Sequence, residues 1–351
     1  MRARSIAAAL AAASLLLAGC ASGADVPEDT TATSTGATAE ETAAGGEGES
    51  QFELKEPLSL GYSVYDLQNP YWQSWAAGVE AAAEEAGAEI TIVDQKSDQQ
   101  AQVSGSLDLI NQGISGLIIT PVQPSALPAT IDAAHEAKIP VVIGDIGTAG
   151  DYDAYIQSNN ANGGALAAEY VIEQLGDAEG PVQVGVIELH AGSVVGEERV
   201  AEFTKLMGEH ENFEVVSSLD GNDTVDGGFA AAQDMLSANP ELQVIYAAND
   251  DSAIGAQRAM ETAGKSVEDG FILIGFDGSD GALDLIKQGK MSATVAQDPY
   301  GQGMKAVQTV LDLLDGDMEY DDADSKTVFF PVEIVTAENL EDFRAARAEQ
   351  N

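Results

Sequence analysis

From residue 57 onward the chain repeats one pattern: a short apolar run rich in Val and Ile, then an amphipathic stretch, then another apolar run. The runs are "LSLGYSVY", "EITIVD", "SGLIITP", "IPVVIGD", "DAYIQSN", "VQVGVIEL", "FEVVSSL", "VIYAAND", "FILIGFD", "SATVAQD" and "TVFFPVEIV". Between most of them lie helical stretches such as Ala126–Ala137, Gly163–Leu175, Asp251–Ala263 and Gly301–Leu314. Runs that are apolar throughout, rather than on every second residue, suit strands covered by helices on both faces. That is the condition of a parallel sheet in an α/β fold. Segments 80–94 and 257–277 share the order helix, Ala-Gly stop, acidic turn, apolar strand and terminal Asp, which suggests two halves of similar build.

Polar residues fall where the strands end: Thr120, Asp145, Asn249 with Asp250, Asp277, and Gln297 with Asp298. Ligands of open parallel sheets bind beyond the carboxyl ends of the strands. An Asp or Asn there can instead cap the next helix, which accounts for Asp250, Asp298 and Asn69. It accounts less well for Asp145 and Asp277, which precede the loops "IGTAG" and "GSDG". His190 ends a strand and is a further crevice candidate, whereas His135 and His210 read as helix-surface residues.

Nothing points to catalysis or a cofactor. There is no Walker loop, G-x-S-x-G, HExxH or GxGxxG after the first strand. The loops "DGNDTVDGG" and "DGSDGALD" fail as calcium sites, since Val225 stands where an EF-hand loop needs glycine and neither has the twelfth-position Glu. Composition excludes nucleic acid as a partner: 59 acidic residues face 15 basic ones, and the excess lies in the fold itself, with 50 against 12 from residue 57 on.

The N-terminus reads as an address rather than as fold. Residues 1–19 have a basic pair, Arg2 and Arg4, and an apolar run too short to span a membrane. Leu17–Cys20, "LAGC", resembles the bacterial lipobox. That implies lipidation of Cys20, the chain's one cysteine, and a protein exported and anchored to the outer face of the cell membrane. Residues 20–56, rich in Ala, Thr, Glu, Gly and Ser, are expected to be a disordered tether with a reach of roughly 30–36 Å.

"NPYW" after the first strand, then "LIITP", "PVVIGD", "AANDDSAIGAQRAMETAG", "ILIGFDGSDG", "SATVAQDP" and "FFPVEIV", follow one another in a familiar order. Over about residues 58–335 they resemble the periplasmic sugar-binding proteins of the ribose, galactose and xylose group, which serve ATP-driven importers. The resemblance implies an α/β, type I periplasmic-binding-protein fold of two similar lobes, each a parallel sheet flanked by helices, joined by three crossing strands. One lobe would comprise 57–158 plus 298–330, the other 159–297 plus 331–351. The crossings would lie near Ser158–Asn159, Gln297–Asp298 and Phe330–Val332. The related lactose-repressor family shares the lobes, but this chain has an export signal in place of a DNA-binding helix-turn-helix.

The same resemblance implies the site. Tyr71 and Trp72 hold the positions of two aromatics that stack on the sugar ring, while Trp75 shares a helix face with Val79, Ala82, Ala83 and Ala86 and reads as core. Asn69, Asn249 and Gln297 match amides that contact the sugar. Asp145 and Asp277 match carboxylates that accept from neighbouring hydroxyls, and Arg199 matches an arginine from the second lobe. Thr120 stands where some relatives place Asn, and Asp223 where ribose binders place a Phe. Ile146 replaces an Arg that follows Asp145 in ribose binders. A cleft with two or three carboxylates and one arginine disfavours an anionic ligand. The expectation is a monomeric solute-binding component that takes a neutral monosaccharide or polyol, with a permease and an ATPase as partners. A sensor presenting a sugar or a furanose-like quorum signal to a membrane receptor is the alternative.

Overall fold

The computed structural model describes residues 50–350; the expected signal peptide (1–19), Cys20 and the tether as far as residue 49 lie outside the described residues. From Ser59 the chain forms β1 (Ser59–Val64), α1 (Pro70–Glu85), β2 (Glu89–Asp94), α2 (Gln99–Asn111), β3 (Gly116–Ile119), α3 (Pro128–Glu136), β4 (Val141–Gly144) and β5 (Ala154–Ser158). There follow α4 (Asn160–Leu175), β6 (Val182–Glu188), α5 (Val194–Gly208), β7 (Phe213–Asp220), α6 (Val225–Ala238) and β8 (Leu242–Ala247). Next come α7 (Asp250–Ala263), β9 (Ile272–Asp277), α8 (Asp280–Lys287) and β10 (Ala293–Ala296). The described chain ends with α9 (Pro299–Asp315), β11 (Thr327–Phe330), β12 (Glu333–Thr336) and α10 (Leu340–Glu349).

These strands make two six-stranded sheets, ordered β11-β5-β4-β3-β1-β2 and β12-β10-β9-β8-β6-β7. Every pairing is parallel except β10 with β12, which is antiparallel. The central strands β3 and β4 are buried along their whole length, while the edge strand β2 alternates between exposed and half-buried residues. Full burial follows from helices on both faces; an edge strand has only a partial cover. The chain leaves the first sheet after β5, returns after β10 and leaves again between β11 and β12. The return is fixed by packing, because Val307, Val310 and Leu314 of α9 bury against Leu60, Ile118 and Ile156 of the first sheet.

The run "TVFFPVEIV" reads as one strand but forms two. β11 pairs with β5 and β12 with β10, in different sheets. Pro331 stands between them, and a residue without an N–H cannot continue a ladder. The expected tether also ends earlier than residue 56. Ser50 Oγ donates to Leu313 O at 2.8 Å, Lys55 Nζ donates to Ile114 O at 3.0 Å, and Phe52 packs on the first core. The segment is held because Phe52 supplies the apolar anchor that residues 21–49 lack. Among the described residues, no helix is long and apolar enough to cross a membrane.

The helices start on local signals. Asn69 accepts from Tyr71 N at 2.8 Å and Asp298 from Gly301 N at 2.9 Å, each followed by a proline at the first helical position. α1 and α9 then cross with their backbones in contact: a Cβ added to Gly303 would lie 2.1 Å from Trp75 O. This crossing seats Trp75, fully buried beside Tyr62, at the centre of the first core. Gly303→Ala is therefore expected to lower unfolding stability by about 1–3 kcal/mol, the usual range for overpacking. Urea unfolding monitored by tryptophan fluorescence measures this, and an unchanged midpoint would mean that the helices can separate freely.

Candidate functional site

The strand ends bring together one cluster of polar side chains. Asp145 follows β4 directly, in a left-handed conformation with φ 59°, and its N–H donates to Ile156 O at 2.7 Å. Asp277 ends β9 with φ 130°. The first angle is a left-handed one that Asp tolerates better than most residues, whereas the second lies beyond that region and is strained for a residue with a Cβ. Tyr71 lies in the first turn of α1, Arg199 on α5, and Gln297 on the segment between β10 and α9.

Together with Ser158 and Gln302 these residues form a continuous hydrogen-bonded network that spans both sheets. The Tyr71 hydroxyl donates to Asp145 Oδ1 at 2.7 Å and lies 3.3 Å from Gln297 Oε1. Gln297 Nε2 donates to Asp277 Oδ1 at 2.7 Å, and Arg199 Nη1 approaches the same oxygen at 3.5 Å. The guanidinium is 5% exposed; it also donates to Asn160 Oδ1 and Ala248 O and lies 3.7 Å over the Phe276 ring. Its orientation is thus set by three acceptors, reached from Nε and Nη1, and by the ring face beneath it. Ser158 Oγ donates to Gln297 Oε1 at 2.7 Å, and Gln302 Nε2 donates to both Ser158 Oγ and the Tyr71 hydroxyl.

Charge in this cluster is only partly balanced. Burial raises the Asp145 pKa, and the Tyr71 hydrogen bond and Arg199 oppose the rise. Burial likewise raises Asp277, against Arg199 and Gln297. Burial, followed by the charge on Asp145, holds the Tyr71 phenol well above its ordinary range, so that it stays a donor at neutral pH.

Other expected residues are placed differently. Asn69 and Asn249 cap helices: Asn249 Oδ1 accepts from Ser252 N at 3.1 Å and its Nδ2 reaches Asp223 O at 3.4 Å. Asn249, rather than Asp250, caps α7, and Asp250 turns inside. Thr120 is fully buried, its hydroxyl accepting from Tyr65 N and meeting the Tyr62 hydroxyl, so it is spent within the first core. Asp223 pairs with His190, whose backbone N–H donates to Oδ1 at 2.8 Å and whose ring Nδ1 lies 2.5 Å from Oδ2, both side chains being exposed. Trp72 is 6% exposed, stacked on Tyr65 at 5.4 Å and edge-on to Tyr71 at 4.9 Å. Sequence reading missed Ser158, Asn160 and Gln302, whose partners are distant in the chain, and Tyr65, which the "GYSVY" alternation would have placed near the strand end. His135, read as surface, contacts Asp153 Oδ2 at 2.8 Å. Among the described residues no group of three or more acids, histidines or cysteines is arranged to hold a metal.

A family model described as periplasmic binding protein domain matches residues 60–318. The ribose import binding protein of Bacillus subtilis (strain 168) is 31% identical over 283 residues, covering 80% of this chain and 88% of that protein. A crystal structure of a periplasmic ribose ABC transporter from Conexibacter woesei DSM 14684 is 27% identical, with a TM-score of 0.76, covering 86% of this chain and 99% of the other. The Caulobacter myo-inositol binding protein, solved with myo-inositol bound, is 26% identical with a TM-score of 0.67, covering 81% and 95%.

The raised carboxyls carry a pH signature. Carboxyls of an unfolded chain titrate near 4, whereas Asp145 and Asp277 keep their protons to higher pH in the fold. The folded state binds more protons across that window, so stability falls as pH rises through it. The melting temperature of the protein alone is expected to rise on going from about pH 7.5 to about pH 5.5, and to rise less in Asp277→Asn. Identical slopes for the two proteins would show that Asp277 does not titrate there.

Proposed function

The chain belongs to the periplasmic sugar-binding protein family, and we propose that it is the solute-binding component of an ABC carbohydrate importer, binding one neutral monosaccharide or polyol between its two lobes. The observation that carries this reading is the network Asp145–Tyr71–Gln302–Ser158–Gln297–Asp277–Arg199, which joins residues of both sheets through hydrogen-bonding groups suited to hydroxyls. Tyr71 takes Asp145 Oδ1, which directs a ligand hydroxyl to Oδ2. Asp277 and Gln297 face the ligand from the second lobe and the crossing, with Arg199 holding Asp277. Trp72 and Tyr71 supply an aromatic edge for the apolar C–H face of the ring. Asn69 keeps Nδ2 as a donor while Oδ1 caps its helix, and Asn249 and Asp223 stand at the rim. One guanidinium against two carboxylates favours a neutral ligand over a sugar acid.

In this reading the lobes are 57–158 plus 298–330 and 159–297 plus 331–351. The crossings beside Ser158, Gln297 and Pro331 bend as ligand closes the cleft. The closed form is what a permease and its ATPase receive. The protein performs no catalysis, consistent with relatives that are binding proteins, and works as a monomer held at the outer face of the membrane through lipid on Cys20.

A thermal-shift screen of neutral sugars, polyols and sugar acids tests the reading, since a ligand that binds only the native state raises the melting temperature. A shift with a neutral sugar or cyclitol is expected; shifts confined to acidic or phosphorylated compounds would overturn the charge argument. Asp145→Ala and Asp277→Ala are each expected to weaken binding of that ligand by on the order of 1.5–3 kcal/mol, the range for a hydrogen bond to a charged group. Calorimetry measures it, and wild-type affinity in either variant removes that residue from the site. Ligand should also alter tryptophan emission through Trp72 alone, because Trp75 is sealed in the core. Trp72→Phe is expected to silence the response; a retained response would place the signal elsewhere.

A further inference from the structure

The turn that presents Asp277 is held from behind. Asp277 has φ 130° and the next residue, Gly278, φ 72°. A Cβ on Gly278 would come within 2.6 Å of the Ala296 Cβ. A non-glycine residue at such an angle costs on the order of 1–3 kcal/mol and persists only where its surroundings over-determine it. Here they do. Ser279 N donates to Asp250 Oδ2 at 2.7 Å, and the other oxygen of Asp250 accepts from Thr294 Oγ1 at 2.7 Å. The same Thr294 oxygen accepts from Gly278 N at 3.3 Å, and Arg347 Nη1 donates to Gly278 O at 2.5 Å. Both backbone polar groups of Gly278 and the amide of Ser279 therefore end on side chains from α7, β10 and α10.

The surroundings are built to keep that arrangement. Asp250 is 1% exposed, and Gly275 leaves room for its carboxylate, since a Cβ there would lie 2.3 Å from Oδ1. Thr294 is fully buried and uses its hydroxyl both as donor and as acceptor. Arg347 is brought to the turn by α10, which is anchored by Leu340 and Phe343 on the second core and lies beside α8 through the surface pairs Arg344 with Asp284 at 2.6 Å and Lys287 with Glu341 at 3.1 Å. Phe343 of α10 packs 3.7 Å from where a Gly278 Cβ would be.

We propose that Asp250, Thr294 and Arg347 are positioning residues for the ligand site: they lock the Asp277–Ser279 turn so that the Asp277 carboxylate meets Gln297, Arg199 and the ligand, which makes the C-terminal helix part of the binding apparatus. The proposal rests on the reading of Asp277 as a ligand acceptor, and its test separates the two. Hydrogen exchange of the protein alone, read by mass spectrometry, is expected to be about tenfold faster at residues 278 and 279 in Thr294→Val and Arg347→Met than in the wild type, a loss of about 1.4 kcal/mol of protection. Peptides of α4 and α5 should not change. Unaltered exchange at 278 and 279 overturns the lock whatever the ligand is.

Calorimetry with D-ribose, D-allose and myo-inositol then reads function. Each variant is expected to weaken the sugar that binds by about tenfold, and to add less than about twofold in an Asp277→Ala background. Arg347→Lys, which keeps a donor, should recover part of the loss. Equal losses with and without Asp277 would overturn positioning in favour of general destabilisation. No binding of any of the three sugars to the wild type would count against those ligands for the proposed function, while the exchange result still decides the lock.

Discussion

Two carboxylates lie in the field of one buried guanidinium, which of the two contacts only Asp277, and the packing around the strand ends supports that arrangement. An ionised Asp145 or Asp277 removed from water without partners would be costly. Each is compensated locally, Asp145 by the Tyr71 phenol and Asp277 by Gln297 and Arg199. The compensation requires Tyr71 to sit in the first turn of α1, which in turn requires the Asn69 cap and Pro70. It requires Arg199 to be buried over Phe276, which depends on α4 and α5 meeting closely: a Cβ on Gly164 would lie 2.1 Å from Arg199 O.

The fold was legible because its signal is redundant. Eleven apolar runs separated by amphipathic stretches admit few architectures, and an error in one run leaves the others standing. The run that misled, "TVFFPVEIV", is the one in which a single residue, Pro331, decides between a long strand and two short strands in different sheets. Whether a proline sits inside a strand or at a change of sheet is a tertiary question. The docked segment at residues 50–56 escaped for a similar reason: one Phe in a polar stretch is a weak signal until the surface that receives it is known.

The site was legible only in part. Asp145 and Asp277 announced themselves by ending apolar runs without opening a helix at once, and Arg199 entered through resemblance alone. Asn69, Asn249 and Thr120 show the limit of that reasoning, since a polar residue at a strand end serves equally as cap, core staple or ligand group. Spacing does not distinguish them. Asn249 and Asp250 are neighbours, yet one caps α7 and the other is sealed beneath the Asp277 turn. Ser158 and Gln302 gave no signal because the bond from Ser158 to Gln297 spans 139 residues and that from Gln302 to Ser158 spans 144.

Recognition and hinge bending are joined in the same side chains. Ser158 opens the first crossing, Gln297 lies at the second, and the hydrogen bond between them ties one to the other. A change in backbone torsion at either crossing therefore moves a group that also holds Tyr71 or Asp277. In the proposed function, a ligand held by Asp145 and Asp277 would act directly on side chains bonded to these crossings, without an intervening relay. The third crossing differs, for Pro331 fixes its own φ and carries no member of the network.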